Sequence, residues 1–369
     1  MSLFNKQTAY VSDFSRFLAD MKQKNPQLEA EQQAGRARLW DKDPGARGAL
    51  APFSPVVDET LWFFKELLGM VETHREGNSV YLRGWEDPYG HSLKITERDT
   101  PGMGYAGWRT TSKAALDRRV KAIQDAGIAG AWVEGEVGMG PAFEFATPDG
   151  APQRINWEVE YYKAPPVDTT RLINRPQRRP LNGVPLRKLD HINLLAKDVS
   201  TNKKFAADAL GFKLSEHIMI GDMEAGAWMR LHHRTHDVAF TKDATGEGGR
   251  LHHVAFFYGN SRHLEDAADV LKDFGLELEA GPARHGISQA QFLYVFEPGG
   301  NRIELVGEAN YTIEDPSWEP VMWSLDTLDS AIIWIGSPLP PEFDTYGTPN
   351  HVATNYRTPN NYIASEVAT

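Results

Sequence analysis

Apolar residues recur along the chain in two patterns, one with the period of a helix and one with the period of a strand. From about residue 50 these patterns follow one scheme repeatedly: a strand, a helix and then three strands. The helical segments show the repetition, because Phe205–Phe212 resembles Phe63–Met70 and Leu264–Gly275 resembles Leu116–Gly127. Repetition of a βαβββ unit predicts an α+β fold in which paired modules form two barrel-like domains.

Breaks in the pattern divide the chain into five predicted segments. A helical arm (1–48) precedes the first paired domain (49–164), and a linker rich in Pro and Arg (165–186) leads to the second paired domain (187–310) and a C-terminal tail (311–369). The first strand of the first domain, Ala49–Val56, contains Pro52 and Pro55. Proline removes a backbone donor, so this segment suits only an edge or bulged strand.

Composition narrows the class of protein. The 369 residues are 41% hydrophobic and carry a formal net charge of −11, without a basic run. We therefore expect a packed core and no binding to nucleic acid or an anionic membrane. The absence of cysteine excludes disulfides and thiolate metal sites. With no signal-like start and no apolar run near the ~20 residues that span a bilayer, we expect a cytoplasmic protein.

The stretch from Gly281 to Val306 holds the first candidate chemistry. It contains His285 in a glycine-flanked loop, Tyr294 within an alternating aromatic strand, and Glu304 between two apolar residues after a Pro-Gly-Gly turn. A carboxylate buried in an apolar strand needs a cation. Alternatively, Glu304 lies on a solvent-exposed face or pairs with Arg302, and this stretch alone leaves both interpretations open.

Two histidines on other predicted strands favour a metal. His191 follows Leu189-Asp190, and His253 lies in Leu-His-His-Val-Ala-Phe. Two histidines and one carboxylate on separate strands are the ligand set that leaves one side of an Fe(II) ion open. A zinc hydrolase more often carries two ligands on one helix, as in HExxH, and the sequence has no such motif. A lone strand histidine is usually a core residue, but the three segments together favour a metal site.

The segments LDHIN (189–193), AWMRLHHRTHD (227–237), LHHVAF (251–256), GPARHG (281–286) and FLYVFEPGGNRIEL (292–305) resemble the extradiol ring-cleaving dioxygenases of the vicinal oxygen chelate superfamily. The resemblance implies cleavage of a catechol-type substrate by O2, with Fe(II), or Mn(II) as the alternative, held by His191, His253 and Glu304. It also implies a symmetric homo-oligomer, a dimer or tetramer, and a C-terminal tail that packs on the active site.

The resemblance further assigns roles around the metal. His236 would act as an acid and base toward the substrate hydroxyl, since imidazole titrates near neutral pH. His285 and Tyr294 would be catalytic residues that hydrogen-bond the substrate oxygens, while Asn193 and Trp228 would line the substrate pocket. From the residues alone, His236 could instead pair with Asp237, and Tyr294 could be a core aromatic with a satisfied hydroxyl.

The remaining histidines are expected to have no catalytic role. Strand alternation directs His232, His233 and His252 away from the site, toward solvent or a partner. The other five, which we expect to be surface or structural residues, are His74, His91, His217, His263 and His351. The first domain should lack the metal site altogether, because its repeat places Gly104-Tyr105 opposite His252-His253 and Arg154 opposite Glu304.

The tail bears on the substrate. In relatives that act on carboxylated catechols, this segment brings arginine to the carboxylate, but Trp323–Trp334 contains no arginine or lysine. Arginine is suited to bidentate pairing with carboxylate, so its absence favours catechol or a small alkyl- or halocatechol. The alternative is a metal-dependent glyoxalase-like isomerase or an epoxide-opening thiol transferase of the same superfamily. Neither of these reactions consumes oxygen.

Overall fold

The structure is a computed structural model that describes residues 55–308 and 311–349. The helical arm predicted for residues 1–48 and His351 lie outside the described residues. No helix in the described ranges is long and apolar enough to cross a membrane. The described helices are α1 (Pro55–Trp62, continued by a π-helical turn at Phe63–Leu67), α2 (Lys113–Asp125), α3 (Val199–Phe205, continued by a π-helical turn at Ala206–Leu210), α4 (Ser261–Asp273) and α5 (Leu328–Ile332).

Two sheets make up the first half. Strands β1 (Val71–Glu76), β2 (Ser79–Arg83) and β3 (Leu93–Thr96) form an antiparallel sheet in that order. Strands β4 (Ala106–Arg109), β5 (Gly130–Val133), β6 (Ala142–Ala146) and β7 (Pro152–Asn156) form a second sheet in the order β4-β7-β6-β5, with β4 parallel to β7. The second sheet with α2 is therefore a complete βαβββ module.

The prediction of a strand over Ala49–Val56 is wrong at the C-terminal end of this segment. Pro55 begins α1, and residues 49–54 lie outside the described ranges. Proline suits the first helical position, because its φ angle is already helical and an N–H there would have no partner within the helix.

One nine-stranded sheet makes up the second half, in the order β13-β14-β15-β12-β8-β11-β10-β9-β16. Its strands are β8 (Lys188–Ala196), β9 (Lys213–Ile220), β10 (Met223–Arg230), β11 (Val238–Lys242), β12 (Arg250–Phe257), β13 (Leu278–Arg284), β14 (Gln291–Phe296), β15 (Arg302–Val306) and β16 (Val321–Ser324). Two βαβββ modules join where β8 pairs antiparallel with β12, and the tail adds β16 beside β9. The α+β fold of repeated modules is confirmed.

The centre of this sheet has two chemically different faces. Phe256 of β12, Leu293 of β14 and Leu305 of β15 are fully buried in a core that includes Phe64 of the π turn and Leu264 of α4. Burying each such side chain stabilises the fold by roughly 1.5–3 kcal/mol. Because strand residues alternate between faces, the neighbouring positions on these strands point to the opposite side. That opposite side carries the polar residues of the candidate site.

Candidate metal centre

Strand register brings the three predicted ligands together. Ala255 of β12 pairs with His191 of β8 on one side and with Glu304 of β15 on the other. His253 lies two residues before Ala255 and so points to the same face. The side chain of Ala255 ends at Cβ, so the two larger side chains can approach each other above it. Three separate strands thus supply one ligand each, as the sequence predicts.

The donor atoms have the spacing of metal ligands. His191 Nε2 and His253 Nε2 lie 3.2 Å apart, and Glu304 Oε2 lies 3.0 Å from each of them. Donors about 2.1 Å from one ion lie about 3.0 Å apart at right angles, and about 3.4 Å apart in a tetrahedron. The spacing of the donor atoms therefore fits three ligands at right angles around one ion better than it fits a tetrahedral set.

Burial makes a cation necessary at this point. The exposed fractions of His191, His253 and Glu304 are 5%, 3% and 2%, and among the described residues Glu304 Oε2 faces no hydrogen-bond donor other than these two imidazoles. An uncompensated buried carboxylate is costly. The alternatives left open by the sequence do not hold, because Glu304 is not on a solvent-exposed face and Arg302 pairs with Glu279 through two bonds of 2.6 Å.

Hydrogen bonds fix which histidine nitrogens carry lone pairs. The Nε2–H of His252 donates to the carbonyl oxygen of Phe343 (2.9 Å), which leaves its Nδ1 as an acceptor. His253 then donates its Nδ1–H to His252 Nδ1 (2.7 Å) and presents an unprotonated Nε2 to the centre. His191 likewise donates from Nδ1 to Asp190 (2.9 Å). Such outer hydrogen bonds orient metal-ligating imidazoles and raise their basicity.

The expectation that His252 points to solvent or a partner is wrong. His252 is 1% exposed and contacts both His253 and Phe343. The β8–β12 register shifts between Leu251 and His253, so His252 is the extra residue of a β-bulge. A bulge breaks strand alternation and redirects a side chain, which is why two consecutive histidines serve one site. His232 and His233 are exposed, as predicted.

Charges within the centre act on its histidines. Burial lowers the pKa of His191, but the charge of Glu304 and the bonds to Asp190 and Glu304 outweigh it and raise the pKa to about 9. In His253 burial prevails and lowers the pKa to about 4. At neutral pH without metal, His191 therefore carries a second proton, on Nε2, in addition to the proton on Nδ1 that it donates to Asp190. That proton balances the charge of Glu304 until a metal ion replaces it.

His236 lies beside the centre. Its ring centroid is 4.1 Å from that of His191, and its exposed fraction is 2%. Burial and the charge of His191 hold the pKa of His236 well below its usual range, so the imidazole is neutral. Asp237 is not its partner, since this carboxylate bonds to His232, to Arg234 and to the Leu231 N–H.

His285 and Tyr294 form a pair on the other side of Glu304. Tyr294 of β14 lies opposite Glu304 in the register, and its hydroxyl is 3.2 Å from His285 Nε2. His285 donates its Nδ1–H to the carbonyl oxygen of Ile332 in the tail (2.5 Å), so its Nε2 is an acceptor. Burial raises the pKa of Tyr294 well above its usual range, and the charge of Glu304 adds to this. Tyr294 is therefore a neutral hydroxyl donor.

Asn193 and Trp228 lie in one row across the sheet. Asn193 pairs with His253 on one side and with Ala239 on the other, and Ala239 pairs with Trp228. Asn193 accepts a hydrogen bond from Thr241 (2.8 Å), while Trp228 packs in an apolar cluster that includes Ile287 and Ile332. Both side chains thus share the face of the ligands, and Trp228 also contacts the segments around His285. Their role in binding substrate stays a prediction.

Glu216 of β9 is a buried residue that the sequence did not reveal. It is 1% exposed and accepts hydrogen bonds from the Ser288 N–H (2.7 Å), the Tyr311 hydroxyl (2.9 Å) and Trp323 Nε1 (2.7 Å). These donors belong to the loop that follows His285 and to the tail. The pKa of Glu216 is raised, because the effect of burial exceeds the opposing effect of the three hydrogen bonds. Through these hydrogen bonds, Glu216 connects the tail and the loop after His285 to the sheet.

The corresponding place in the first half holds charged side chains of its own. Arg154 pairs with Glu144 in the β6–β7 register, as Glu304 pairs with Tyr294 in the β14–β15 register. Its guanidinium lies 2.8 Å from Glu144, 3.6 Å from Glu136 and over the ring of Tyr105. The first half thus has an arginine side chain where the second half has Glu304, and the lack of a metal site in the first half stays a prediction.

Comparisons with known proteins agree with this geometry. The family model described as Glyoxalase/Bleomycin resistance protein/Dioxygenase superfamily matches residues 188–305, and a model for a family of unknown function, DUF3460, matches residues 9–49. A metapyrocatechase from Geobacillus stearothermophilus is 46% identical over 297 residues, which cover 80% of this chain and 91% of that protein. The chain belongs to the extradiol ring-cleaving dioxygenases.

Two further relatives of this dioxygenase bear on metal and fold. A manganese-dependent 2,3-dihydroxybiphenyl 1,2-dioxygenase from Geobacillus genomosp. 3 is 35% identical over 80% of this chain and 94% of that protein. Among solved structures, the homoprotocatechuate 2,3-dioxygenase from Arthrobacter globiformis is 26% identical, with a TM-score of 0.72 over 81% of this chain and 90% of that chain. One relative of the dioxygenase therefore depends on manganese, and a homoprotocatechuate dioxygenase shares its fold.

Proposed function

We propose that this dioxygenase cleaves catechol and small alkyl- or halocatechols beside the diol, in the degradation of aromatic compounds. Catechol and O2 would give 2-hydroxymuconic semialdehyde, which keeps both oxygen atoms of O2. The observation that carries the proposal is the buried His191–His253–Glu304 set, with ligand atoms 3.0–3.2 Å apart. The identity to a metapyrocatechase supports the choice of catechol.

We assign Fe(II) to the three ligands, with Mn(II) as the alternative. Two imidazoles and one carboxylate accept either ion, and the manganese-dependent relative supports the second. A bound Fe(II) would supply the electron transfer between ring and O2 that side chains cannot perform. The work left to the protein is to orient the ring, move protons and exclude water.

Proton transfer falls to the residues around the metal. His236 is neutral, and its ring centroid lies 4.1 Å from that of His191, so it can accept a proton from a catechol hydroxyl and return it later. Without substrate, the Tyr294 hydroxyl donates to His285 Nε2. With substrate bound, His285 Nε2 would accept from a second substrate hydroxyl instead, and Tyr294 would donate to a substrate oxygen. Phe292 stacks on His285 at 3.9 Å between ring centroids and keeps its imidazole in place.

The composition of the tail favours a substrate without a carboxylate group. It contacts the site through the Ile332 carbonyl oxygen and through Phe343, whose ring lies 4.8 Å from that of Tyr294. Residues 311–349 contain several carboxylates and no arginine or lysine. A carboxylated catechol would meet no countercharge from this segment. We expect a kcat/KM at least about tenfold lower for a carboxylated catechol than for 4-methylcatechol, since one lost charge-assisted hydrogen bond costs about 1.5–3 kcal/mol.

We also propose a cytoplasmic homo-oligomer, a dimer or tetramer. In the described part of the tail, four large apolar side chains are more than half exposed: Met322, Leu325, Trp334 and Ile335. Exposed apolar side chains concentrated on one segment are typical of a protein contact. Light scattering on the purified protein tests this, and replacing Met322 by Glu should reduce the assembled fraction.

Oxygen uptake tests the activity. Protein loaded anaerobically with Fe(II) should consume one O2 per catechol and form a yellow product. Glu304→Ala should lose the metal, while His236→Ala should keep the metal and turn over slowly. Absence of uptake by fully loaded protein with catechol and both methylcatechols would refute the proposal and favour a glyoxalase-like isomerase, which does not consume O2.

A further inference from the structure

A cavity that is lined by charged and aromatic side chains lies away from the metal centre, where the linker crosses between the two halves. Its volume is about 340 Å³. We call it the linker cavity and define it by six of its residues: Trp85, Arg175, Arg179, Arg187, Gly259 and His263. Trp85 follows β2, Arg187 precedes β8, and Gly259 and His263 lie where β12 leads into α4. Four separated segments therefore meet here.

The linker cavity has an excess of positive charge in an acidic chain. Three guanidinium groups and one carboxylate, Glu86, line it. Glu86 pairs with Arg187 (2.6 Å), whereas Arg175 and Arg179 form no ion pair with any described residue. Three positive charges less one negative charge leave two unbalanced positive charges in a protein of net charge −11. Guanidinium groups match the geometry of carboxylates and phosphates, so the cavity is suited to an anion.

Two residues that line the cavity each have a buried polar atom without a partner among the described residues. Trp85 is 5% exposed, and its Nε1–H meets no acceptor in the described ranges. The same holds for Nδ1 of His263, which lies in the first turn of α4. Buried indole donors are normally paired, and leaving one unpaired costs about 1–3 kcal/mol. An acceptor oxygen from a bound ligand would pair the Trp85 donor.

The backbone and ring contacts hold the cavity in shape. Gly259 has a φ of +75°, and a Cβ there would lie 2.5 Å from Nη1 of Arg187, so a larger residue would displace this guanidinium. The guanidinium carbon of Arg175 lies 5.2 Å from the centre of the Trp85 ring. The 13-residue helix α4 begins at this wall, capped by Asn260, and its positive dipole end favours an anion.

We propose that the linker cavity binds a phosphate-class oxyanion. Arg179 and Arg175 would supply its charge, and Trp85 Nε1 would donate one hydrogen bond. A bound anion would connect the linker to both halves of the chain. The site is separate from the metal centre, and its ligand has two candidate sources, free inorganic phosphate and a small phosphate monoester.

Calorimetric titration of the metal-loaded, full-length protein at constant ionic strength tests the site. Inorganic phosphate and glycerol phosphate are the probes, with chloride as the reference anion. At least one probe should bind saturably in the millimolar range or below, and the tighter probe identifies the source. Arg179→Gln should weaken this binding about tenfold or more, because it removes a charge-assisted hydrogen bond. Trp85→Phe keeps the ring under Arg175 and should weaken binding severalfold.

Arg178→Gln is the matched control. Arg178 is a neighbouring exposed arginine that faces Asp168 (3.7 Å) and does not line the cavity. It should bind the probe as the parent does, and all three variants should keep the oxygen-uptake activity of the parent. Absence of saturable binding by both probes, or equal affinities for the parent, Arg179→Gln and Arg178→Gln, would overturn the proposal.

Discussion

Replacing His252 should weaken metal binding although this residue donates nothing to the metal. His252 accepts the Nδ1–H of His253 and donates to the Phe343 carbonyl oxygen, so it holds the His253 ring with Nε2 unprotonated. His252→Leu removes both bonds within a wholly buried contact. Loss of such an outer hydrogen bond typically lowers metal affinity about 10- to 100-fold, which corresponds to about 1.4–3 kcal/mol.

The same replacement should also lower the free energy of unfolding. It leaves the His253 Nδ1–H and the Phe343 carbonyl oxygen without partners, at about 1–3 kcal/mol for each buried group. Measuring Mn(II) affinity by chelator competition and stability by urea unfolding separates the two effects. His252→Gln supplies an acceptor oxygen and should recover part of the metal affinity.

His74→Leu is the control, because His74 is an exposed histidine in the first half. It should change neither quantity appreciably. If His252→Leu lowered stability but bound Mn(II) within threefold of the parent, with threefold being about 0.7 kcal/mol, His252 would be a packing residue only. The argument from its hydrogen bonds would then be wrong.

Two further predictions concern other buried charges. Glu216→Gln should lower the free energy of unfolding by about 1–3 kcal/mol and raise KM for catechol, because an amide cannot accept hydrogen bonds from all three donors. Unchanged urea unfolding and unchanged oxygen-uptake kinetics would contradict this prediction. Metal-free protein should lose stability as pH rises, since the folded-state pKa of His191 is about 9 and its ordinary value is 6.5. The protonated His191 contributes about 3 kcal/mol to the free energy of unfolding below pH 6.5, and this contribution is lost as the pH rises to about 9. The measurement is urea unfolding of chelator-treated protein over this pH range. A free energy of unfolding that stays constant or increases with pH would refute the prediction.

The sequence by itself determined the repeated βαβββ modules and the candidate ligands. Helical and strand periods are local properties, so α2 and α4 and the strands that carry His253, Tyr294 and Glu304 could be predicted directly. A carboxylate between Ile303 and Leu305 needs a cation wherever its strand is buried. These candidate ligands could be predicted from residue chemistry and spacing, without knowing which strands are neighbours in the sheet.

Only the tertiary structure decided the role of His252 and Glu216. Alternation predicts which face a residue occupies, but a bulge depends on how β12 pairs with β8, and one extra residue brought His252 into the site. The donors to Glu216 lie 72, 95 and 107 positions away in the chain, at Ser288, Tyr311 and Trp323. Hydrogen bonds between such distant segments leave no local pattern, because they form only when the sheet, the loop and the tail have packed together.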